Sequence, residues 1–228
     1  MKVLVACEES QAVCKAFREK GHEAYSCDII DCSGGHPEWH IKGDVLPLLN
    51  GDCTFKTCDG AEWELKGEWD LIIAFPPCTY LTNGGAVRMF RREFKEFPPY
   101  GTFQMVNVKR LMSGMLARDF FMAFYNARCK RIAIENPVPM GFYMLPKADQ
   151  TIQPFMFGEP YSKKTCLWLK ELPKLQPSNI LKEYQPFING GGGRMERENY
   201  KGKKFAVGSC TRSKTFIGVA KAMAEQWG

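Results

Sequence analysis

The sequence contains no run of about 18 apolar residues, so no segment is long enough to cross a bilayer as a helix. The opening residues, Met1-Lys2-Val3-Leu4-Val5-Ala6-Cys7-Glu8-Glu9, turn acidic after a short apolar run. They lack the longer apolar core and small-residue cleavage site of a secretory leader, and a cytoplasmic location is the expectation. No internal repeat is found. Charge of one sign is not in large excess: 31 Lys and Arg face 25 Asp and Glu, for a net charge of +6 and a pI near 8.7. Such a balance permits a polyanionic partner without demanding one.

What is present fits a globular chain. At 228 residues one domain is expected. A chain of this length buries roughly 70% of its unfolded surface and needs neither disulfide nor metal to fold. The composition, 45% hydrophobic and 25% charged, excludes a wholly disordered or fibrous protein. Ten cysteines are many. In a reducing compartment they read as thiols, ligands or a nucleophile rather than as disulfides.

Hydrophobic periodicity predicts strand, helix, strand over the first thirty residues. Val3–Ala6 is a short apolar run; Ala12, Val13, Ala16 and Phe17 recur at helical spacing within Ser10–Lys20; and Glu23–Asp28 is a strand ending on an acid. This is the opening βαβ half of a nucleotide-binding sheet. A third strand end is predicted at Ile41–Val45, and a hairpin at Cys53–Leu65 around Asp59-Gly60. Trp69–Phe75 reads as a buried strand broken by Pro76-Pro77. Residues 78–102 read as a long functional loop and residues 103–127 as a central helix, apolar on most sides. Arg131–Glu135 is a strand cut by Asn136-Pro137, and Thr151–Phe157 and Thr165–Leu169 are two more. Residues 172–207, rich in proline, glycine and alternating charge, read as a small insert with a flexible loop, before a closing helix at 215–227.

Two strand ends carry reactive groups. Cys78 follows two rigid prolines at the end of a buried strand, where open α/β sheets bind their ligands. A thiol there can be exposed and ionised, although buried thiols are the commoner fate of cysteine. Glu135-Asn136-Pro137 lies at another strand end, and in a parallel sheet the two ends can face one crevice. An acid beside a thiol nucleophile can protonate or orient a heterocycle; taken alone, the motif is better explained as a solvated acid followed by a turn-forming Asn-Pro pair.

Pro77-Cys78 followed some sixty residues later by Glu135-Asn136 resembles the DNA (cytosine-5) methyltransferases, in particular their compact phage and prophage members. Leu4–Ser10 looks like their opening strand, Gly43-Asp44-Val45 like the third-strand acid, and Phe157–Thr165 like the segment behind the flipped base. The stretch from Ser213-Lys214-Thr215 to Trp227 is similar to the closing helix. The resemblance implies a Rossmann-like, S-adenosylmethionine-dependent methyltransferase fold with a mostly parallel sheet. Residues 1–171 plus 208–228 would form the catalytic body, and residues 172–207 a small target-recognition insert.

It also implies a division of labour. A cytosine is flipped from DNA; the Cys78 thiolate attacks carbon 6; Glu135 holds the ring nitrogen and amine; and carbon 5 takes the methyl group. Asn136 and Pro137 would shape the turn around Glu135. Lys163 and Thr165 stand where the family has an arginine pair, and lysine lacks the planar fork of arginine. Asp28 would receive the cofactor ribose and Asp44 the adenine. Ala6, Glu8, Ser10 and Gln11, with Pro76 and Pro77, would border the rest. The Gly-rich first loop of larger members is absent, and S-adenosylmethionine has no phosphate for such a loop to cradle. Arg88, Arg91, Arg92 and Lys95, with Arg194, Arg197, Lys201, Lys203 and Lys204, would meet DNA phosphates. A monomer is expected. The short insert leaves open the same chemistry on a free cytosine nucleotide, and a non-catalytic DNA-binding relative is the reading from another class.

Two metal readings are weaker. His36-Pro37-Glu38 and Pro77-Cys78 echo zinc nucleobase deaminases, but Leu81 stands where the second cysteine is required. Cys27, Cys32, His36 and His40 have a spacing close to a zinc pattern, with Cys27 pointing into the sheet and a loose Gly34-Gly35 loop between. No metal is expected.

Overall fold

The computed structural model describes residues 1–187 and 215–228. In chain order the strands are β1 (Lys2–Ala6), β2 (Glu23–Asp28), β3 (His40–Lys42), β4 (Cys53–Lys56), β5 (Glu62–Leu65), β6 (Leu71–Ala74), β7 (Phe90–Phe97), β8 (Gly101–Val106), β9 (Ile132–Pro137), β10 (Gln150–Ile152), β11 (Tyr161–Ser162), β12 (Thr165–Lys170) and β13 (Gln185–Pro186). The helices are α1 (Ala12–Glu19), α2 (Val108–Tyr125) and α3 (Ile217–Trp227). Seven strands form one sheet in the order β10-β12-β9-β6-β1-β2-β3. From β3 to β9 all neighbours are parallel, whereas β12 runs antiparallel to both β9 and β10. The protein is thus a mixed α/β molecule with a mostly parallel central sheet.

Both faces of the sheet are covered, so β1 is apolar at every core position rather than alternating. Leu4 and Ala6 pack on one face with Phe121 and Phe124 of α2. Val3 and Val5 pack on the other with Val13 and Phe17 of α1 and with Val219, Met223 and Trp227 of α3. The chain leaves β1 toward β2 and β3 on one side, then returns to β6 on the other. Strand order therefore reverses between β1 and β6, the place where such sheets bind ligands at their carboxyl ends.

Several boundaries differ from expectation. The third strand is shorter and earlier than Ile41–Val45, because Val45 begins a turn that enters the 3-10 segment Leu46–Leu48 through Pro47. Residues 78–102 are not an irregular loop: a 3-10 turn at Asn83–Arg88 leads into the antiparallel hairpin β7–β8. The helix expected at 103–127 starts only at Val108, where the Asn107 side chain accepts the Arg110 N–H at 3.2 Å. It is not central either, since Val108, Met112, Met115 and Leu116 are exposed. β9 is not cut at Asn136-Pro137: it continues to Pro137, paired with Thr165, where a missing N–H costs least at the strand's end. The strand expected over Thr151–Phe157 stops at Ile152, because Pro154 opens another 3-10 turn. Leu175 is fully buried and exchanges hydrogen bonds with the Gln150 side chain, while β13 pairs with β11. Gly190–Gly193 and the basic residues Arg194, Arg197, Lys201, Lys203 and Lys204 lie outside the described residues.

Gly114 shows how tightly α2 sits on the sheet's loops. A Cβ there would overlap the Tyr143 hydroxyl and ring, and Tyr143 is 1% exposed and cannot swing away. Gly114→Ala gains up to ~1 kcal/mol of helix propensity but incurs an overpacking cost of ~1–3 kcal/mol. The expected net result is a lower melting temperature. An increase would show that Tyr143 yields freely.

Candidate active site

The turn after β1 does without glycine by bending two ordinary residues into the left-handed region, Cys7 at φ 59° and Gln11 at φ 58°. That bend drives the Glu8 side chain inward. Its carboxylate accepts the Val13 N–H at 2.6 Å and the Cys14 N–H at 3.2 Å, filling the amino terminus of α1 with the chain's own anion. Glu8 is 3% exposed, and burial lifts its pKa from about 4.5 to about 7 against those two hydrogen bonds. Gln11, fully buried, donates to the His36 carbonyl at 2.8 Å and accepts the His36 N–H at 3.1 Å. The loop after β2 is thereby folded over the turn. Ser10 lies beneath it, with its carbonyl against Gly34.

At the ends of β2 and β3 two acids converge. Asp28 is half-buried, accepts the Ile30 N–H at 3.3 Å, and has its pKa raised, chiefly by burial. Asp44 is exposed and accepts the Leu46 N–H at 3.0 Å. Burial pushes the Cys7 thiol up, and the charges of Asp28 and Asp44 push it further, so both carboxylates act on the carboxyl end of β1. Ala6 is fully buried at that end. Ile29, beside Asp28, is 76% exposed: an apolar side chain on the rim that the sequence reading passed over.

The ends of β6 and β9 are built as one unit. Asn136, fully buried, donates its Nδ2 to the Pro76 carbonyl at 2.8 Å. The Asn83 N–H donates to the Val138 carbonyl at 2.9 Å, and the Met140 N–H to the Leu81 carbonyl at 2.8 Å. The Pro76-Pro77-Cys78 turn and the segment after Glu135 are thus sewn together. The Cys78 carbonyl accepts from Leu81 and Thr82, and its half-buried thiol lies on this turn. Asn136 therefore does not shape a turn around Glu135; it faces the opposite side of β9 and holds the loop of Cys78.

Arg110 supports the same loop from below. It is 8% exposed; its Nη2 donates to the Thr79 carbonyl at 2.9 Å, and its guanidinium lies 5.3 Å from the centre of the Tyr80 ring. Its Nη2 also takes the space that a side chain on Gly85 would need. A single arginine inside a helical pattern gives no sequence signal of this task.

Glu135 points to the other face of β9, into a small, partly open cleft lined by Phe75, Lys163, Thr165, Phe216 and Val219 among others. Ala74 pairs with Ile134, so Phe75 and Glu135 leave the sheet side by side. Burial raises the Glu135 pKa, while the Lys163 charge and a hydrogen bond with Thr165 oppose the rise. The Thr165 hydroxyl also donates to the Lys163 carbonyl at 3.2 Å. The Lys163 ammonium stands 5.9 Å from the ring centres of both Phe187 and Phe216, which touch each other at 5.3 Å. Three of the residues singled out, Glu135, Lys163 and Thr165, are brought together; the aromatic lining was missed because it comes from distant segments.

Other candidates are placed elsewhere. Arg88, Arg91 and Arg92 are exposed, Arg88 at the foot of the β7–β8 hairpin and the other two on β7. Leu81 is core. Both ring nitrogens of His40 are engaged, with Ser26 at 2.8 Å and the Ile30 carbonyl at 2.9 Å, and His36 pairs with Glu38. Among the described residues no cluster of three or more His, Cys, Asp or Glu could hold a metal.

Two outcomes follow. Between roughly pH 5 and 7 folded Glu8 holds a proton that the unfolded chain releases, so its contribution makes stability fall as pH rises through that window. The melting temperature of the wild type minus that of Glu8→Gln should drop across it; a flat difference would refute the burial argument. Asn136→Ala strands the Pro76 carbonyl at a cost of ~1–3 kcal/mol, or roughly 2–10 °C, and should quicken alkylation of Cys78. Unchanged melting and unchanged alkylation would remove Asn136 from this role.

No protein-family model matches the sequence, and no curated protein matches it. Among solved structures the chain is similar to a DNMT2 mutant from Spodoptera frugiperda, at 16% identity and a TM-score of 0.32, over 82% of this chain and 55% of that one. The chain spans little more than half the length of that protein, and a likeness at this level does not bear on function.

Proposed function

We propose that this chain is an S-adenosylmethionine-dependent methyltransferase acting on carbon 5 of cytosine in DNA. The observation that carries the reading is the pairing of two strand exits. Cys78 stands on a proline-stiffened turn after β6, and Glu135 stands in an aromatic cleft near the end of β9, with hydrogen bonds locking the two strand ends together. A thiol and a carboxylic acid carried at the carboxyl ends of adjacent parallel strands supply the two groups that covalent attack on an electron-poor ring needs.

The cofactor side fits a ligand without phosphate. The α1 amino terminus, where a dinucleotide's pyrophosphate would sit, is already filled by Glu8. Asp28 and Asp44 offer acceptors for hydroxyl and amine groups, and exposed Ile29 offers an apolar surface. Ala6, Glu8 and Ser10 with Pro76 and Pro77 would frame the remaining contacts. When bound, S-adenosylmethionine supplies the methyl group.

The chain's own residues do the rest. The Cys78 thiolate adds to carbon 6 of the ring. Glu135, whose pKa burial raises, donates a proton to the ring nitrogen as electron density moves toward carbon 5. Lys163 and Thr165 hold the glutamic acid and meet the base carbonyl. After carbon 5 is alkylated, a base takes its proton, the thiolate leaves carbon 6, and the ring nitrogen returns its proton to Glu135, which restores the ring. Arg88, Arg91 and Arg92 would take DNA phosphates, and residues 172–207 the target sequence.

The test is transfer of labelled methyl to duplex DNA, single-stranded DNA and deoxycytidine monophosphate in parallel. Label should appear as 5-methylcytosine in DNA, vanish in Cys78→Ala, and fall at least ~100-fold in Glu135→Gln. The rate should decline as pH rises through the elevated Glu135 pKa, because the protonated form is the donor. Label on the free nucleotide alone would move the substrate; none on any substrate from protein that binds S-adenosylmethionine would sink the reading.

A further inference from the structure

The reading above uses the β7–β8 hairpin only through Arg91 and Arg92, yet the whole hairpin rises from the loop that carries Cys78. Every residue of β7 is exposed, as are Gly101–Gln104 of β8. Its foot is fixed: the Asn107 N–H donates to the Met89 carbonyl at 2.7 Å, and Met89 is 6% exposed. Beyond that foot, among the described residues, its rings are left largely open. Phe94, Phe97, Tyr100 and Phe103 are 46–79% exposed. An isolated two-stranded ribbon is marginal in water, and large open aromatics ask for an occupant.

The register decides what the occupant is. Lys95 pairs with Phe103 and Phe97 with Gly101, so Lys95, Phe97 and Phe103 share one face. The two rings meet at 6.2 Å, and Gly101 has no side chain to cover Phe97. Arg91 and Arg92 occupy the stretch between Phe90 and Phe94 where the ladder shifts. Glu93 lies 3.9 Å from Arg91 and 3.6 Å from Lys95, exposed pairs that hold their partners only weakly. Open rings interleaved with cations suit a strand of unstacked bases, whose flat faces stack on aromatics while its phosphates meet arginine.

We propose that the Lys95–Phe97–Phe103 face of this arm stacks on unpaired bases beside the target cytosine, with Arg91 and Arg92 on the flanking phosphates. The inference rests on the methyltransferase reading and deepens it. Taking one base out of a duplex leaves its neighbours and its former partner unstacked, and an aromatic face on an arm that rises from the Cys78 loop offsets that loss.

Fluorescence anisotropy tests it with a labelled single-stranded oligonucleotide, the same strand in a duplex with the cytosine mismatched, and the perfect duplex. Phe97→Ala combined with Phe103→Ala should weaken the first two at least ~tenfold, with the perfect duplex less affected and the salt slope unchanged. Arg91→Ala combined with Arg92→Ala should weaken all three alike and reduce the salt slope by about 1–2. A wild-type melting temperature in both variants confirms that the body is intact, because the arm lies outside the core. Equal affinities for wild type and the phenylalanine variant on all three probes would overturn the proposal. So would a variant that loses self-association in sedimentation while keeping its oligonucleotide affinity. Phenylalanine-dependent binding without any methyl transfer would sink the enzyme and keep the arm; methyl transfer with phenylalanine-independent binding would do the reverse.

Discussion

The hydrogen bond from Asn136 to the Pro76 carbonyl is the interaction on which the candidate site depends. The Pro76 carbonyl is buried between two strands, where an acceptor left unmet is costly. Asn136 supplies the missing donor from the neighbouring strand because alternation along β9 sends it to the α2 face while Glu135 goes to the other. One strand end thereby does two tasks: one residue fixes the thiol's loop and the next presents an acid. Arg110 and the paired segments beyond Leu81 then carry the loop, and its exposed continuation becomes the arm.

The β1–α1 turn follows a different logic from the phosphate-binding turn of dinucleotide folds. There the helix terminus waits for an external anion; here Glu8 has already satisfied it. The cost is a carboxyl lifted to about 7 by burial, and the return is a turn closed without glycine. The Glu8 side chain thus occupies the place that a phosphate would need at this helix terminus.

Much of this was legible in the residues because the sheet is buried on both faces. Val3–Ala6, Glu23–Asp28 and Trp69–Phe75 are read correctly, since unbroken apolar runs bounded by acids, glycine or proline leave few alternatives. The β7–β8 hairpin escaped for the converse reason: neither face is buried, so its phenylalanines and charges follow no core-facing period, and an irregular register breaks the alternation further. Cys78 and Glu135 are visible as reactive residues at strand ends. Arg110 and the Phe75–Phe216 lining are not, because their meaning comes from contacts between segments far apart in the chain. Asn136 was noticed but given the wrong partner, since a strand that continues through Asn-Pro cannot be told from one that stops there.

The contact between Phe187 and Phe216 has a consequence for how such a chain can change. Those rings meet at 5.3 Å on the rim of the cleft, so whatever lies between them departs from and returns to one point of the body. Closing a connection of n residues between fixed neighbouring ends has an entropic cost that grows only with the logarithm of n. The stretch can therefore be lengthened, shortened or exchanged by recombination with little strain on the seven-stranded sheet. Two fixed ends that meet in this way let the connection between them vary while Cys78, Glu135 and the helix-capping Glu8 stay where they are.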